Sequence, residues 1–402
     1  MNNIKLDFPI LDKKIRDKAI TYLDSAASTQ KPKQVINSIS EFLENSYENV
    51  HRGMNSLSID ATDLYEKSRD VAKNFINSKS TNEIIFTRGA TDSINIIANS
   101  LAEHLKEGDK IVVTELEHHS NYLPWMNLCK KLGLELKIIP ISKDGILSED
   151  DIINNCDDFT KVLSLTHMSN VTGQILDIKK IKKSINKDTY VAVDGCQSIA
   201  HLKIDVKDLD CDFYSFSSHK LYGPSGIGIM YGKEDILNKL NPPTLGGGMI
   251  NEVSSNDFSY AMLPNKFEPG TPSIEAAIGF KTAMEYLNNN NYQDYFLNEK
   301  KLRSTLIKAL REFKEVDIYG SNEDGNATSI VSFNIKNQNF NDIATFLDQY
   351  GIMIRGGHHC CQPFMKKLGI PGSCRVSFGI YNDLNDIDHF IDSLKKTLKL
   401  LQ

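Results

Sequence analysis

A single lysine stands where an apolar stretch of the chain runs into a glycine-rich turn. Lys220 lies within F-Y-S-F-S-S-H-K-L-Y-G-P-S-G-I-G, directly after serine hydroxyls and an imidazole. A lysine amine that is partly shielded from water is nucleophilic and can form a Schiff base with a carbonyl compound. Ser217 and His219 add neutral and cationic donors of the kind that bind phosphate. A lysine exposed in a surface turn is the alternative that this segment alone leaves open.

A carboxylate ends a second apolar run, V-A-V-D-G-C-Q. Asp194 is costly at the end of such a run unless it is paired, and a protonated pyridine nitrogen is one suitable partner. Gln197, just downstream, can donate a hydrogen bond to a phenolic oxygen on the same ring. An aspartate that caps the following helix explains this segment equally well when it is considered alone.

Two further segments supply groups for a phosphate and for an aromatic ring. In F-T-R-G-A-T-D-S-I-N a strand turns into a helix, so Thr91 and the free amides of the helix N-terminus favour phosphate; a plain helix cap is the competing interpretation. In E-L-E-H-H-S-N, His118 can stack on a ring and exchange protons beside it, although a single histidine is ordinarily structural. Together the segments predict pyridoxal 5′-phosphate, bound through Lys220 as a Schiff base.

Short β-branched runs alternate with helical patterns from about Glu83 onward. This rhythm is typical of βαβ units and predicts a mostly parallel sheet of about seven strands. The polar residues of interest lie at or just past strand ends, where open α/β sheets bind ligands. The expected strands are E-I-I-F-T, K-I-V-V-T, L-K-I-I-P, K-V-L-S-L-T, Y-V-A-V-D, F-Y-S-F-S and I-G-I-M-Y.

A different pattern follows the Gly/Pro-rich passage that ends near Pro272. A long helical stretch from Ile274 to Leu310 leads to the strands S-I-V-S-F-N-I, I-M-I-R and C-R-V-S-F, with helices after Asn341 and Leu384. This pattern indicates a smaller α+β domain. We therefore expect an α/β protein with a large domain over residues 20–285 and a small domain formed by residues 1–19 and 286–402.

The bulk properties exclude several classes of protein. A chain of 402 residues, 40% of them hydrophobic, can bury a large core and divide into two domains. The net charge of -6 leaves no basic field for nucleic acid, and no apolar run reaches the roughly 20 residues of a membrane helix. The start of the chain lacks a signal peptide, and cysteines without metal-ligand spacing fit a reducing compartment. A cytoplasmic protein is expected, with no nucleic acid, membrane or metal partner.

These motifs together resemble those of one known family. Over nearly its whole length the sequence is similar to enzymes of the class V aminotransferase fold, and within that fold it resembles the group II cysteine desulfurases of the SUF iron-sulfur assembly type. The likeness implies a pyridoxal-phosphate-dependent transferase fold of type I. It is carried by Y-L-D-S-A-A-S, H-R-G, T-R-G-A-T, E-H-H-S-N, S-N-V-T-G, D-G-C-Q-S, S-S-H-K-L-Y-G-P, G-T-P, R-G-G-H-H-C-C-Q-P and R-V-S-F.

The resemblance assigns roles to the candidate residues. It implies that Lys220 binds the cofactor covalently while His118 stacks on the cofactor ring. Asp194 pairs with the pyridinium, and Gln197 contacts the ring oxygen. The residues implied for the phosphate are Thr91, Ser217 and His219, joined by Thr271 from the second subunit of a homodimer.

The segment R-G-G-H-H-C-C-Q-P distinguishes a desulfurase from an ordinary aminotransferase, because only the desulfurase needs a nucleophilic thiol. Cys360 follows Arg355, His358 and His359, and nearby cations favour the reactive thiolate. Buried inert cysteines and a structural zinc site are competing explanations, although the consecutive ligands of H-H-C-C are unlike the spaced pairs of zinc sites. Cys361 departs from the family, in which a small residue such as alanine commonly follows the catalytic cysteine.

The resemblance also implies the reaction. Arg375, helped by Asn170, holds the carboxylate of L-cysteine, because a planar guanidinium binds a carboxylate bidentately. Cys360 attacks the substrate sulfur, with Lys220 and His118 as the other catalytic residues, and the products are L-alanine and a persulfide on Cys360. A SufE-like or SufU-like acceptor then carries the sulfur to the SUF scaffold for iron-sulfur cluster assembly.

Rival functions follow from the same residues. Selenocysteine shares every contact proposed for cysteine, so it is a possible additional substrate. An aminotransferase of the same fold lacks any use for Cys360. A non-catalytic sulfur carrier has no need of Lys220, Asp194, His118 and Arg375.

Overall fold

The structure, a computed structural model, describes residues 4–290, 292–320 and 326–401 of the chain. Its main sheet has seven strands: β1 (Ile84–Thr87), β2 (Lys110–Thr114), β3 (Glu135–Ile139), β4 (Thr160–Thr166), β5 (Tyr190–Asp194), β6 (Phe213–Ser217) and β7 (Gly228–Gly232). In space they follow the order β1-β7-β6-β5-β4-β2-β3. All neighbours are parallel except β7, which is antiparallel to both β1 and β6. The predicted α/β fold with a mostly parallel sheet of seven strands is confirmed.

Burial explains why these runs are strands. Every residue of β2, β6 and β7 is buried, as is expected when helices cover both faces of a parallel sheet. The helices are α1 (Lys33–Asn45), α2 (Ser56–Phe75), α3 (Ala90–Leu101), α4 (His119–Leu132), α5 (Glu149–Asn154), α6 (Ile178–Ser184), α7 (Ser198–His201), α8 (Val206–Leu209), α9 (Glu234–Lys239), α10 (Ile274–Asn289), α11 (Tyr292–Leu310), α12 (Phe340–Asp348), α13 (Gln362–Leu368) and α14 (Leu384–Leu401). The stretch predicted as one helix is thus divided into α10 and α11, with residue 291 outside the described part of the chain.

A second sheet contains β8 (Val316–Tyr319), β9 (Ile330–Ile335), β10 (Arg355–Gly357) and β11 (Ser373–Ser377). Its order is β8-β9-β11-β10, antiparallel throughout. Phe333, Val376 and Phe390 belong to a hydrophobic cluster of this region that is separate from the cores around the main sheet. The division into domains at residues 20–285 and at 1–19 with 286–402 stays a prediction, since Phe8 packs in the core of the main sheet and Leu23 packs in the second cluster.

Two details of the second sheet differ from the sequence prediction. The strand V-D-I-Y was not predicted, because only four residues of mixed exposure give a weak signal. The run I-M-I-R is not one strand: Ile352–Met353 pairs in parallel with Thr21–Tyr22, whereas the next residues enter the second sheet as β10. Small two-stranded units complete the described part of the chain, at Lys14–Ile15 with Lys18–Ala19 and at Ile250–Val253 with Phe258–Tyr260.

Close packing of two glycines brings one helix N-terminus to the edge of the sheet. Gly89 precedes α3 with φ 147°, a conformation that favours glycine. A Cβ on Gly228, in β7, would lie 2.6 Å from the Cα of Gly89, so β7 can pass this turn only with glycine. As a result, the start of α3 lies beside the carboxyl end of β6.

Among the described residues no helix is both long and apolar enough to cross a bilayer.

Candidate active site

A cavity of about 180 Å³ lies at the carboxyl ends of β5 and β6. It collects side chains that are far apart in the sequence, since Thr91 and Arg375 both line it. Two predicted site residues, Cys360 and Thr271, are not part of its lining. The predicted residues that do line it are Thr91, His118, Asn170, Asp194, Gln197, Ser217, His219, Lys220 and Arg375.

The floor of the cavity comes from the ends of two neighbouring strands. Asp194, the last residue of β5, is buried, and its Oδ1 accepts a hydrogen bond from the backbone N–H of Cys196 at 2.9 Å. Gln197 donates one amide hydrogen to the carbonyl of Ala26 at 2.9 Å and keeps a second hydrogen for another acceptor. Lys220 follows β6 in the short turn Ser218–Lys220, and its ammonium makes no hydrogen bond to the described residues.

The groups predicted to bind phosphate surround the start of α3. The Ser217 hydroxyl accepts the Ala90 N–H at 2.8 Å, and the Thr91 and Ser120 hydroxyls are 2.7 Å apart. His219 was expected to be cationic, but burial, followed by Lys220, lowers its pKa to about 4. The imidazole is therefore neutral in the protein alone, and a phosphate dianion beside it would raise its pKa.

His118 lies directly before α4 and caps this helix. Its Nδ1 accepts the backbone N–H of Ser120 at 3.1 Å, so the neutral ring carries its proton on Nε2. Burial, followed by the charge of Lys220, lowers the His118 pKa to about 3. A neutral ring whose acceptor nitrogen is already engaged is suited to stacking. It is a poor proton carrier in this state.

Arg375 reaches the cavity from β11 and is buried. Its Nη1 donates to the backbone carbonyl of Asn170 at 3.0 Å, and its Nη2 donates to Asp24 at 2.9 Å. Its Nε has no partner among the described residues. Burial lowers the pKa of Arg375, while the carboxylate of Asp24 opposes that shift.

The carboxylate partner of Arg375 was not predicted from the sequence. Asp24 stands just after a short strand in Y-L-D-S-A-A-S. The reasoning applied to Asp194, that a carboxylate beside apolar residues needs a partner, would have marked this position as well.

Cys360 lies on the loop between β10 and α13. His359 and Cys360 have φ values of 52° and 54°, so two successive residues other than glycine are left-handed. Neighbouring segments hold this loop: the Asn170 side chain donates to the His359 carbonyl at 2.7 Å, and the His119 N–H donates to the Cys360 carbonyl at 2.7 Å.

Of the two residues that flank Cys360, His359 differs from the predicted cation and Cys361 is a buried thiol. His359 is not a cation, because burial, together with Arg375 and Arg355, lowers its pKa to about 2. Its Nε2 is hydrogen-bonded to Ser373 at 3.0 Å. The Cys361 thiol is buried, and burial raises its pKa far above the ordinary value, so it is an inert thiol in this structure. Within the described residues no cluster of three or more His, Cys, Asp or Glu side chains could hold a metal ion.

Thr271 is exposed and lies in the loop that precedes α10. It lines a separate pocket of about 380 Å³ with residues such as Arg88 and Asp92. Its predicted role in the site of a second subunit stays a prediction, since a single chain does not test it.

The donor set of the cavity fits pyridoxal 5′-phosphate. Lys220 offers an amine without a hydrogen bond among the described residues, and Asp194 offers a buried carboxylate for the ring nitrogen. His118 offers a neutral ring for the cofactor face. The hydroxyls of Thr91 and Ser217 lie at a helix N-terminus, which attracts phosphate.

Comparison with known proteins identifies the family. Residues 21–390 match the family model Aminotransferase class-V. A Staphylococcus epidermidis protein named probable cysteine desulfurase is 44% identical over 393 residues, which cover 97% of this chain and 95% of the relative. A Staphylococcus aureus protein of the same name is 43% identical over 399 residues, covering 99% and 96%.

Solved structures agree with these relatives. The cysteine desulfurase CsdA of Escherichia coli has a TM-score of 0.91 and 33% identity, covering 100% of this chain and 99% of that one. A cysteine desulfurase of Thermococcus onnurineus has a TM-score of 0.93 and 36% identity, covering 99% and 98%. The predicted cofactor, pyridoxal phosphate, is confirmed by this membership. The chain belongs to the class V aminotransferase family and, within that fold, to the cysteine desulfurases.

Proposed function

We propose that this chain is a group II, SUF-type cysteine desulfurase that converts L-cysteine to L-alanine and leaves a persulfide on Cys360. The supporting observation is the position of Cys360, directly after His359, which lines the cavity and whose carbonyl accepts a hydrogen bond from the Asn170 side chain. An aminotransferase needs no thiol at this place, and a sulfur carrier needs no cofactor cavity.

Arg375 and Asn170 are the groups that we propose to orient the substrate. Both side chains line the cavity. Among the described residues the buried guanidinium has no partner for its Nε, and Asn170 retains one amide hydrogen after its bond to the His359 carbonyl. Asp24 fixes the guanidinium from the other side. A carboxylate bound here would place the rest of the amino acid between Lys220 and the cysteine loop.

Lys220 and Cys360 carry the proposed chemistry. The bound cofactor supplies an electron sink for the bond that breaks at the substrate α-carbon. The Lys220 Nζ takes up the α-proton and later returns a proton to the product. The Cys360 thiolate attacks the substrate sulfur: an S–S bond forms, the C–S bond breaks, and the electron pair goes to the β-carbon, which is protonated. Cysteine and one thiol thus become alanine and one persulfide, without an external oxidant.

A turnover assay tests this function. Protein loaded with pyridoxal phosphate is mixed with L-cysteine, and alanine and sulfide are measured with and without a thiol reductant. Without reductant, alanine formation is expected to stop after a stoichiometric burst, and mass spectrometry is expected to find added sulfur on the Cys360 peptide. With reductant, both products accumulate continuously. A keto acid product, or alanine without added sulfur on Cys360, would contradict the proposal.

We further propose that the chain works as a homodimer. Met54, Met262 and Val253 are 98%, 82% and 73% exposed, which is unusual for large apolar side chains and favours burial against a partner. Thr271 then contributes to the phosphate site of the other subunit. Sedimentation that finds a monomer at micromolar concentration, together with full cofactor affinity in Thr271→Ala, would contradict this proposal.

The persulfide requires an acceptor, which we propose to be a SufE-like or SufU-like protein that serves the SUF scaffold in iron-sulfur cluster assembly. A cytoplasmic location is part of this proposal, and the seven free cysteines of the chain suit a reducing compartment.

Selenocysteine is proposed as a second substrate, because the carboxylate and amine contacts are unchanged. Turnover measured on both amino acids decides this point.

A further inference from the structure

The cysteine loop is held in a conformation that its own residues disfavour. His359 and Cys360 are both left-handed, and neither is a glycine. Such a backbone persists only where the surroundings fix it. The contacts that fix this loop therefore determine where the Cys360 thiol lies relative to the cavity.

Two imidazole nitrogens accept hydrogen bonds from the backbone of the loop. The Cys360 N–H donates to Nδ1 of His358 at 3.1 Å, and the Gln362 N–H donates to Nε2 of His119 at 3.2 Å. A backbone amide can only donate, so each of these ring nitrogens must carry a lone pair. Burial, followed by His358, lowers the pKa of His119, which favours the neutral acceptor form.

His119 holds the loop at two points, at the reactive cysteine and two residues after it. Its backbone N–H donates to the Cys360 carbonyl at 2.7 Å, while its ring accepts the first amide of α13. Cys361, which stands at the N-cap of α13, makes no side-chain capping bond. The His119 ring thus caps α13 from a distant segment of the chain.

His119 also follows His118 directly, at the start of α4. One ring of this pair lines the cavity, and the next ring binds the cysteine loop. The ring centroids of His119 and His358 are 5.7 Å apart, so the two imidazoles that accept hydrogen bonds from the loop also lie against each other. The loop is consequently connected to the same helix start that presents His118 to the cofactor.

We propose that His119 is a positioning residue for sulfur transfer, whose imidazole, as a hydrogen-bond acceptor, holds Cys360 at the edge of the cavity. This inference rests on the proposed desulfurase function. It assigns His119 no contact with cofactor or substrate. Removal of the acceptor is therefore expected to slow the attack of Cys360 on the substrate sulfur and to leave the earlier steps unchanged.

The test compares His119→Ala and His119→Gln with wild type, and uses His104→Gln, an exposed histidine remote from the loop in sequence, as the control. His119→Ala is expected to lower kcat for alanine formation about tenfold, the equivalent of one lost hydrogen bond. The cofactor absorbance, its change on addition of L-cysteine, and KM are expected to stay at wild-type values. His119→Gln, whose carbonyl can replace Nε2, is expected to recover most of the rate.

Each other result overturns the inference. A wild-type rate in His119→Ala shows that the acceptor is dispensable, and a glutamine variant as slow as the alanine variant shows that the hydrogen bond is irrelevant. Loss of cofactor binding in both variants places the role of His119 in the cofactor site. Because all rates are relative to wild type, a wild-type protein that makes no alanine contradicts the proposed function itself, separately from this inference.

Discussion

The floor of the cavity and the cysteine loop reach the same site by different means. Asp194 and Ser217 end strands of the main sheet, where main-chain pairing, such as that of Asp194 with Ser215, fixes their directions. Cys360 has no such pairing; Asn170 and His119 from two other segments hold its loop, together with the ring of His358 in the loop itself. The groups that we propose to hold the cofactor are thus rigid with the sheet, whereas the thiol can be repositioned by breaking a few hydrogen bonds.

Two adjacent cysteines on this loop differ in their exposure to solvent. Cys360 is partly exposed, while Cys361 is buried, and its thiol donates to the Glu115 carbonyl at 3.6 Å. Burial raises the pKa of Cys361, and nearby Glu117 raises it further. The second thiol of the pair is therefore unsuited to act as a nucleophile.

The largest predicted effect separates these two thiols. Cys360→Ala is expected to abolish alanine and sulfide formation from L-cysteine, while the cofactor spectrum stays intact, because the floor does not depend on the thiol. Cys361→Ala is expected to retain activity and to lose about 1 kcal/mol of unfolding free energy, since it removes a buried atom. Activity assays and denaturant unfolding check both variants. Full activity in Cys360→Ala with loss in Cys361→Ala would reverse the assignment.

A smaller effect is expected at Arg375, which connects the two regions. Arg375→Lys keeps the charge but loses the planar fork, so KM for L-cysteine is expected to rise about thirtyfold. The cofactor spectrum and persulfide formation at saturating substrate are expected to change little. Steady-state kinetics provide the measurement, with Arg16→Lys, a surface arginine paired with Asp348, as the matched control. An unchanged KM would show that the carboxylate binds elsewhere.

The sequence predicted the floor of the site better than the loop, for a physical reason. Strands buried on both faces are continuous apolar runs, and parallel strands end at one edge, so Asp194 and Lys220 were expected to meet. Arg375 and Asp24 are 351 positions apart in the sequence, and no local sequence pattern indicates that two such distant residues form an ion pair.

Charge states were equally hidden from the sequence. His359 and His219 are neutral because they are buried beside Arg375 and Lys220, respectively. Burial of this kind depends on tertiary packing, which the neighbouring letters H-H-C-C do not contain. For the same reason, the left-handed turn at Cys360 was not predicted.

The smallest predicted effect concerns the pH dependence of folding stability, and it distinguishes the floor of the cavity from the cysteine loop. His167, whose backbone N–H donates to the Asp194 carbonyl, is buried, and burial lowers the pKa of its imidazole to about 4. The folded protein therefore binds fewer protons than the unfolded chain between pH 6.5 and 4. Its contribution to stability is fully present above pH 6.5 and is lost as the pH falls toward 4. In cofactor-free protein, thermal unfolding measured across this range is expected to show a steadily falling midpoint, and His167→Gln is expected to flatten that slope. The same slope in wild type and His167→Gln would assign the acid sensitivity to the other histidines whose pKa is lowered by burial, such as His118, His219 and His359.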